Sequence, residues 1–232
     1  PSLPPQPSDE SSVPLMQIAI GLYPGFTALD AIGPYQVLTN VPGVEVVLCA
    51  ESTGRLSDDN GLLHLDIEHT FADVPTPDML LVPGGFVTRK LARDRDPIVE
   101  WIASAHEHTT YTTSVCTGAL LLGAAGLLDG LDATTHWYAY DELAGYGAHP
   151  TEQRVVQQGK IWTAAGVSAG IDLALTLVAE VWGAEVSQAI QLGIEYDPQP
   201  PFDSGSPSKA DPDILALVQA ISAEKEAAVR AG

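Results

Sequence analysis

Cys116 has the strongest chemical context of any residue in the chain. It sits in TTSVCTGALLLGAAGLL, where a β-branched run leads straight into the cysteine and small residues with a helical pattern follow at once. That order predicts a sharp strand-to-helix turn at Cys116, an elbow of the kind that exposes a nucleophile. The helix start supplies unpaired N–H groups and a partial positive charge, which favour the reactive thiolate. The plain alternative is a buried cysteine acting as a small hydrophobe. Cys49, by contrast, ends an apolar strand with no helix behind it and reads as core.

A thiolate needs a proton partner, and Asp30 in GFTALDAIGPYQVL is the candidate. Its neighbours Ala28, Leu29, Ala31 and Ile32 are apolar, and a carboxyl in such surroundings has a raised pKa suited to acid/base work. It also reads simply as a helix-start carboxylate favoured by the helix dipole. A third element is Pro83-Gly84-Gly85, a glycine turn after a strand that lets backbone N–H groups approach a ligand. In an open α/β sheet ligands collect at the carboxyl ends of strands. Asp30, Gly84 and Cys116 each follow such an end, and that convergence lifts all three above their separate readings. His136 in ATTHW reads as a pocket-lining or structural histidine, or as the partner in a Cys-His pair. Ser168 reads as a helix cap within reach of the pocket. His106 and His108 read as solvated, Trp101, Trp162 and Trp182 as core, and Asp172 as a dipole-favoured carboxylate or ion-pair member.

The elements that must position these residues follow from apolar patterning and Gly/Pro punctuation. Strands are predicted at 16–23, 44–50, 79–85, 109–115 and ATTHW. Helices are predicted at 27–38, distorted by Gly33-Pro34, at 95–107, directly after Cys116, near 138–144, and at 168–182. Tight turns are predicted at Asp59-Asn60-Gly61 and Gln158-Gly159. This alternation indicates a mainly parallel sheet covered by helices on both faces. Residues 1–15 read as a disordered leader and 16–195 as one α/β domain. Beyond it lie an extended Pro/Ser/Asp-rich segment and a helix from about 212 to 230, with Ile214, Leu215, Leu217, Val218 and Ile221 as its apolar stripe, expected to pack on the domain or a dimer partner.

The bulk numbers set limits. With 10 Lys and Arg against 30 Asp and Glu, the 232-residue chain has a formal net charge of -20. Such a surface repels phosphate backbones and anionic headgroups, so nucleic acid and membrane are not expected partners. Two cysteines without zinc-ligand spacing suggest neither a disulfide framework nor a metal site. A cytoplasmic setting is expected.

The blocks GLYPGFTALDAIGPYQVL, MLLVPGGF, SVCTGALLLGAAGLLDGLDATTHW and TAAGVSAGIDLAL together resemble the ThiJ/PfpI superfamily. The resemblance implies a flavodoxin-like sandwich, a cysteine nucleophile elbow and a homodimer. Many members carry glutamate where this chain has Asp30. Aspartate there, with Cys116-Thr117, is similar to the isonitrile hydratase branch, which adds water to a small-molecule isonitrile without any cofactor or metal. Carried over, Cys116 is the nucleophile, Asp30 the acid/base and Thr117 a site residue, with the Gly84 and Gly85 backbone beside the substrate. The alternatives are a glyoxalase or amidase-like enzyme of the same fold, or a cysteine redox sensor. A regulator's sensory domain is disfavoured, because about 37 residues follow 195, too few for a helix-turn-helix module.

Overall fold

The computed structural model describes residues 15–231, so the expected leader lies outside the described residues apart from Leu15. The chain runs β1 (Met16–Gly21), α1 (Ala28–Leu38), β2 (Val44–Ala50), β3 (Gly54–Ser57), β4 (His64–Ile67), β5 (His69–Thr70) and β6 (Met79–Val82). Next come α2 (Thr88–Asp94), α3 (Pro97–His106), β7 (Tyr111–Val115), α4 (Gly118–Ala124), β8 (Asp132–Ala133), α5 (Tyr140–Ala144) and β9 (His149–Pro150). The hairpin β10 (Val155–Gln158) and β11 (Ile161–Ala164) leads to α6 (Ala169–Trp182), α7 (Ala184–Gly193) and α8 (Pro212–Ala231).

Seven strands form one sheet in the order β10-β11-β7-β6-β1-β2-β5, parallel except for the β10–β11 hairpin. From β1 the chain crosses to β2 on one side, and from β6 it crosses to β7 on the other. Right-handed crossovers then put α1 on one face and α2–α3 on the opposite face. The packing agrees: α1 lies against α6, while α2 and α3 lie against α4. The flavodoxin-like arrangement expected from the strand–helix alternation is therefore present. The order reverses between β1 and β6, and their carboxyl ends open the crevice where α/β proteins bind ligands.

The central strands are buried for the expected reason: β6, MLLV, is apolar throughout and covered on both faces. β7 is the exception, with Thr112, Thr113 and Ser114 buried in the middle of the sheet. The two threonine hydroxyls find local partners, whereas Ser114 Oγ has no hydrogen-bond partner among the described residues. Thr113 Oγ1 donates to Leu80 O at 3.0 Å, and Thr112 Oγ1 lies 2.8 Å from both His106 Nδ1 and Thr109 Oγ1. His106 is thus a half-buried partner of the strand, and the solvated reading of it is corrected.

Other expectations also need correction. α1 runs unbroken through Pro34, at the point where it meets α6 closely. A Cβ on Gly33 would lie 3.0 Å from Ile171 Cγ1, and one on Gly170 would lie 3.0 Å from Pro34 Cγ. The ATTHW segment supplies only the end of β8, and His136 stands in a loop before a 3-10 turn at Trp137–Ala139. α2 and α7 went unpredicted, because each carries a broken, charge-rich or polar pattern. The apolar stripe of α8 is mostly exposed. The helix is held instead by Glu226, whose Oε1 lies 3.0 Å from Arg89 Nη2, and by Lys225 over the Phe86 ring.

Candidate active site

β7 ends at Val115, and Cys116 takes a left-handed backbone, φ 57, before α4 begins. A non-glycine residue in that region is strained, and the surroundings must hold it there. They do: Cys116 N–H donates to Ala164 O and Ala165 O at 3.1 and 2.9 Å, and Thr135 Oγ1 donates to Cys116 O at 2.8 Å. α4 can start so close to the sheet only with glycine at 118. A Cβ there would overlap Val82 O and stand 2.8 Å from Pro83 O, both backbone atoms that cannot step aside. Gly118→Ala is accordingly expected to lose about 1–3 kcal/mol of stability, read as a lower melting temperature; an unchanged melt would show slack in the elbow.

Asp30 follows β1 in the first turn of α1 and is fully buried. Its Oδ2 accepts the Gly84 N–H at 2.9 Å, and its Oδ1 has no hydrogen-bond partner of its own. Thr117 Oγ1 accepts the Gly85 N–H and donates to Gly85 O, each at 3.0 Å. The Gly84 and Gly85 N–H groups therefore orient Asp30 and Thr117. The sequence-based expectation was that these N–H groups approach a ligand; here they bond to Asp30 Oδ2 and Thr117 Oγ1. Glycine is still required at 84: a Cβ would meet Thr117 N at 2.6 Å and Asp30 Oδ2 at 2.8 Å.

Burial dominates the electrostatics. It raises the Asp30 carboxyl to about 7, against the lowering effects of the Gly84 N–H and the Cys116 thiol. Burial and then the facing Asp30 push the Cys116 thiol well above its usual range, although the Thr117 and Val167 N–H groups pull the other way. The helix start does supply a donor, but desolvation outweighs it in the resting site. The two groups interact directly, so they titrate as a pair that holds its protons together. Cys116 as a residue keeps 5% exposure.

Next to the pair lies a cavity of about 590 Å3. Its floor includes Ala165 and Val167, both of which also contact the Cys116 backbone or sulfur. Leu29, beside Asp30, forms part of its edge, with His136 and Trp137 opposite. Burial, then Arg89, lowers the His136 imidazole to about 4, so it is neutral near pH 7. Ser168 lines the same cavity but makes no capping bond, so the cap reading is corrected; its Oγ accepts from Arg154 Nη2 at 3.2 Å. Arg154 also pairs with Asp172, which settles Asp172 as an ion-pair member.

The structure thus brings Asp30, Cys116, Thr117, Gly84 and Gly85 together, with His136 and Ser168 in the adjoining cavity. Sequence reasoning missed Thr135, and also Tyr23, whose buried hydroxyl donates to Pro83 O at 2.6 Å and whose ionisation is opposed by burial, Asp30 and Cys116. Tyr23 closes the first apolar run just before Pro24-Gly25, a position that could have marked it.

A parallel sheet with a strained cysteine elbow and a buried carboxyl across its switch point defines a class of α/β proteins built for thiol chemistry. The sequence profile of the DJ-1/PfpI family matches residues 16–180, and the chain belongs to that family. It is 45% identical over 195 residues to an isonitrile hydratase of Pseudomonas putida, covering 84% of this chain and 85% of that one. A ThiJ/PfpI family protein from Pseudomonas syringae superposes with a TM-score of 0.86 at 37% identity, covering 99% of this chain and 96% of the other. The HTH-type transcriptional regulator CdhR of Pseudomonas aeruginosa is 32% identical over 183 residues, covering 75% of this chain, which spans 53% of the regulator.

Proposed function

We propose that this protein is an isonitrile hydratase, converting R–N≡C and water to the N-substituted formamide, with Cys116 as nucleophile and Asp30 as acid/base. The observation that carries the reading is the buried carboxyl–thiol pair at the switch point, and the 45% identity to the Pseudomonas putida enzyme supports the reaction. The Cys116 thiolate bonds to the isonitrile carbon as Asp30 gives that carbon its proton, leaving a thioimidate and a carboxylate. Water then adds to the thioimidate carbon while Asp30 relays one of its protons to nitrogen. On collapse the C–S bond breaks, the hydroxyl proton returns to Asp30, and the formamide leaves with the thiolate restored. The Thr117 and Val167 N–H groups, near the sulfur, stabilise its negative charge at the start and end of the cycle. Thr117 and the Gly84-Gly85 turn hold the pair in register.

No metal or organic cofactor has a part in this scheme. Among the described residues no helix is long and apolar enough to cross a membrane, and we place the enzyme in a reducing cytoplasm, which keeps the thiol free. The exposed apolar stripe of α8 and the family resemblance support a homodimer, which light scattering would test by giving about twice the chain mass.

Cyclohexyl isocyanide and methylglyoxal assayed side by side test the reading. Formamide production from the isonitrile is expected. Turnover of methylglyoxal alone would replace it with the glyoxalase alternative.

A further inference from the structure

The cavity beside Cys116 is lined in part by a stretch that lies far from the sheet strands in sequence. Gly205, Ser206, Pro207 and Ser208 line it together with Ala165 and Val167. We propose that this segment, through Ser206 and Pro207, is the specificity-determining wall of the active site and selects isonitriles by the size of a largely apolar substituent. The inference rests on the hydratase reading and adds to it which residues choose the substrate.

Three observations support it. First, the cavity adjoins the pair through shared neighbours: Ala165 and Val167 in its lining bond to Cys116, and Leu29 is next in sequence to Asp30. An isonitrile whose carbon sits at the sulfur has its substituent directed away from the buried pair, and this cavity is the adjoining space. Second, about 590 Å3 falls within the roughly 300–1,000 Å3 of pockets that enclose drug-sized molecules, so the space takes a substituent larger than one ring. Its apolar surfaces, Leu29, Trp137, Tyr140, Val167 and Pro207, suit hydrocarbon, His136 is neutral, Arg154 is paired with Asp172, and the exposed Glu152 carboxylate in the lining disfavours an anionic substituent. Third, the wall is built. Lys209 and Ala210 N–H groups donate to Ser206 O at 3.1 and 3.0 Å, and Lys209 Nζ pairs with Asp203 at 2.7 Å. Trp137 and this segment also line a second, smaller cleft that reaches Ala210 and Ile214. At the far end α8 is fastened through Glu226 to Arg89, which also pairs with Glu142 at 2.7 Å.

The test is Ser206→Trp, which fills the cavity from the wall side. The quantity read is the ratio of kcat/KM for naphthyl isocyanide to that for methyl isocyanide. It is expected to fall by about tenfold or more, carried mainly by KM, as hydrophobic pockets discriminate by size on that scale. A ratio within about twofold of wild type, with matching circular dichroism and melting, overturns the proposal. If Ser206→Trp does not fold, Ser208→Trp puts the same bulk on the same wall and is read in the same way. Wild type that hydrates no isonitrile refutes the functional reading, and calorimetry with N-naphthylformamide then tests the wall separately. Binding that is lost in the tryptophan variant supports the wall. Equal binding to both proteins, or none to wild type, overturns it.

Discussion

Replacing Cys116 with alanine is expected to lower kcat for isonitrile hydration by about ten-thousandfold or more, the usual effect of deleting a covalent nucleophile. Without the sulfur no thioimidate forms, and the buried Asp30 has nothing to protonate against. Alanine retains a Cβ and therefore the φ 57 strain, so the fold should change little, and equal melting curves would show that the loss is chemical. Steady-state formamide production, followed by chromatography, measures the effect. Substantial residual activity would remove Cys116 from the reaction and with it the covalent route.

The second large effect is expected from Asp30→Asn, which should lower kcat by about a hundred- to ten-thousandfold, the range for losing a positioned acid/base group. Asparagine can still accept the Gly84 N–H, so geometry is preserved while the proton is lost. The pH profile separates these roles. Because burial raises Asp30 to about 7, wild-type activity should rise as pH passes through about 7, where the pair loses its first proton, and should hold until the thiol's own high range. In the variant that limb disappears. The thiol, no longer facing a carboxylate, should ionise at lower pH than in wild type, which ultraviolet thiolate absorbance would show.

Stability should move in the opposite sense to activity. The folded carboxyl binds its proton more tightly than the unfolded one, about 7 against 3.8, so ionising it works against the fold. That penalty is absent below about 3.8, grows through the window and is complete above about 7. Asp30→Asn should therefore melt higher than wild type, with a larger gain at about pH 8 than at about pH 5. A gain independent of pH would mean that Asp30 carries no such strain.

The candidate site was legible in the sequence because its placement depends on local order. TTSV before Cys116 and TGALLLGA after it can hardly be read except as strand, elbow and helix, and PGG and LDAIGP follow two other apolar runs. What could not be read was the balance between burial and the helix dipole at the sulfur, since that depends on how deeply the finished fold covers the pair. The direction of the Gly84 and Gly85 N–H groups was equally hidden. A glycine turn announces close approach but not whether the approaching atom belongs to a ligand or to Asp30 and Thr117. α2 and α7 were missed because TRKLARD and AEVSQAIQLG carry weak apolar periodicity, and packing on α4 and α6 makes them helical. His106 was misread for a related reason: its partner, Thr112, belongs to a buried strand whose hydroxyls gave no sign in sequence of where they would bond.

The cavity wall at Gly205–Ser208 lies outside residues 16–180, the part of the chain that carries the family pattern and the reactive pair. Changes in that outer stretch leave the strand ends and the elbow where they are. A lineage of such proteins can therefore keep one reaction constant while exchanging its diet, and mutational libraries confined to a few codons near 206 would explore new substrates without endangering the sheet.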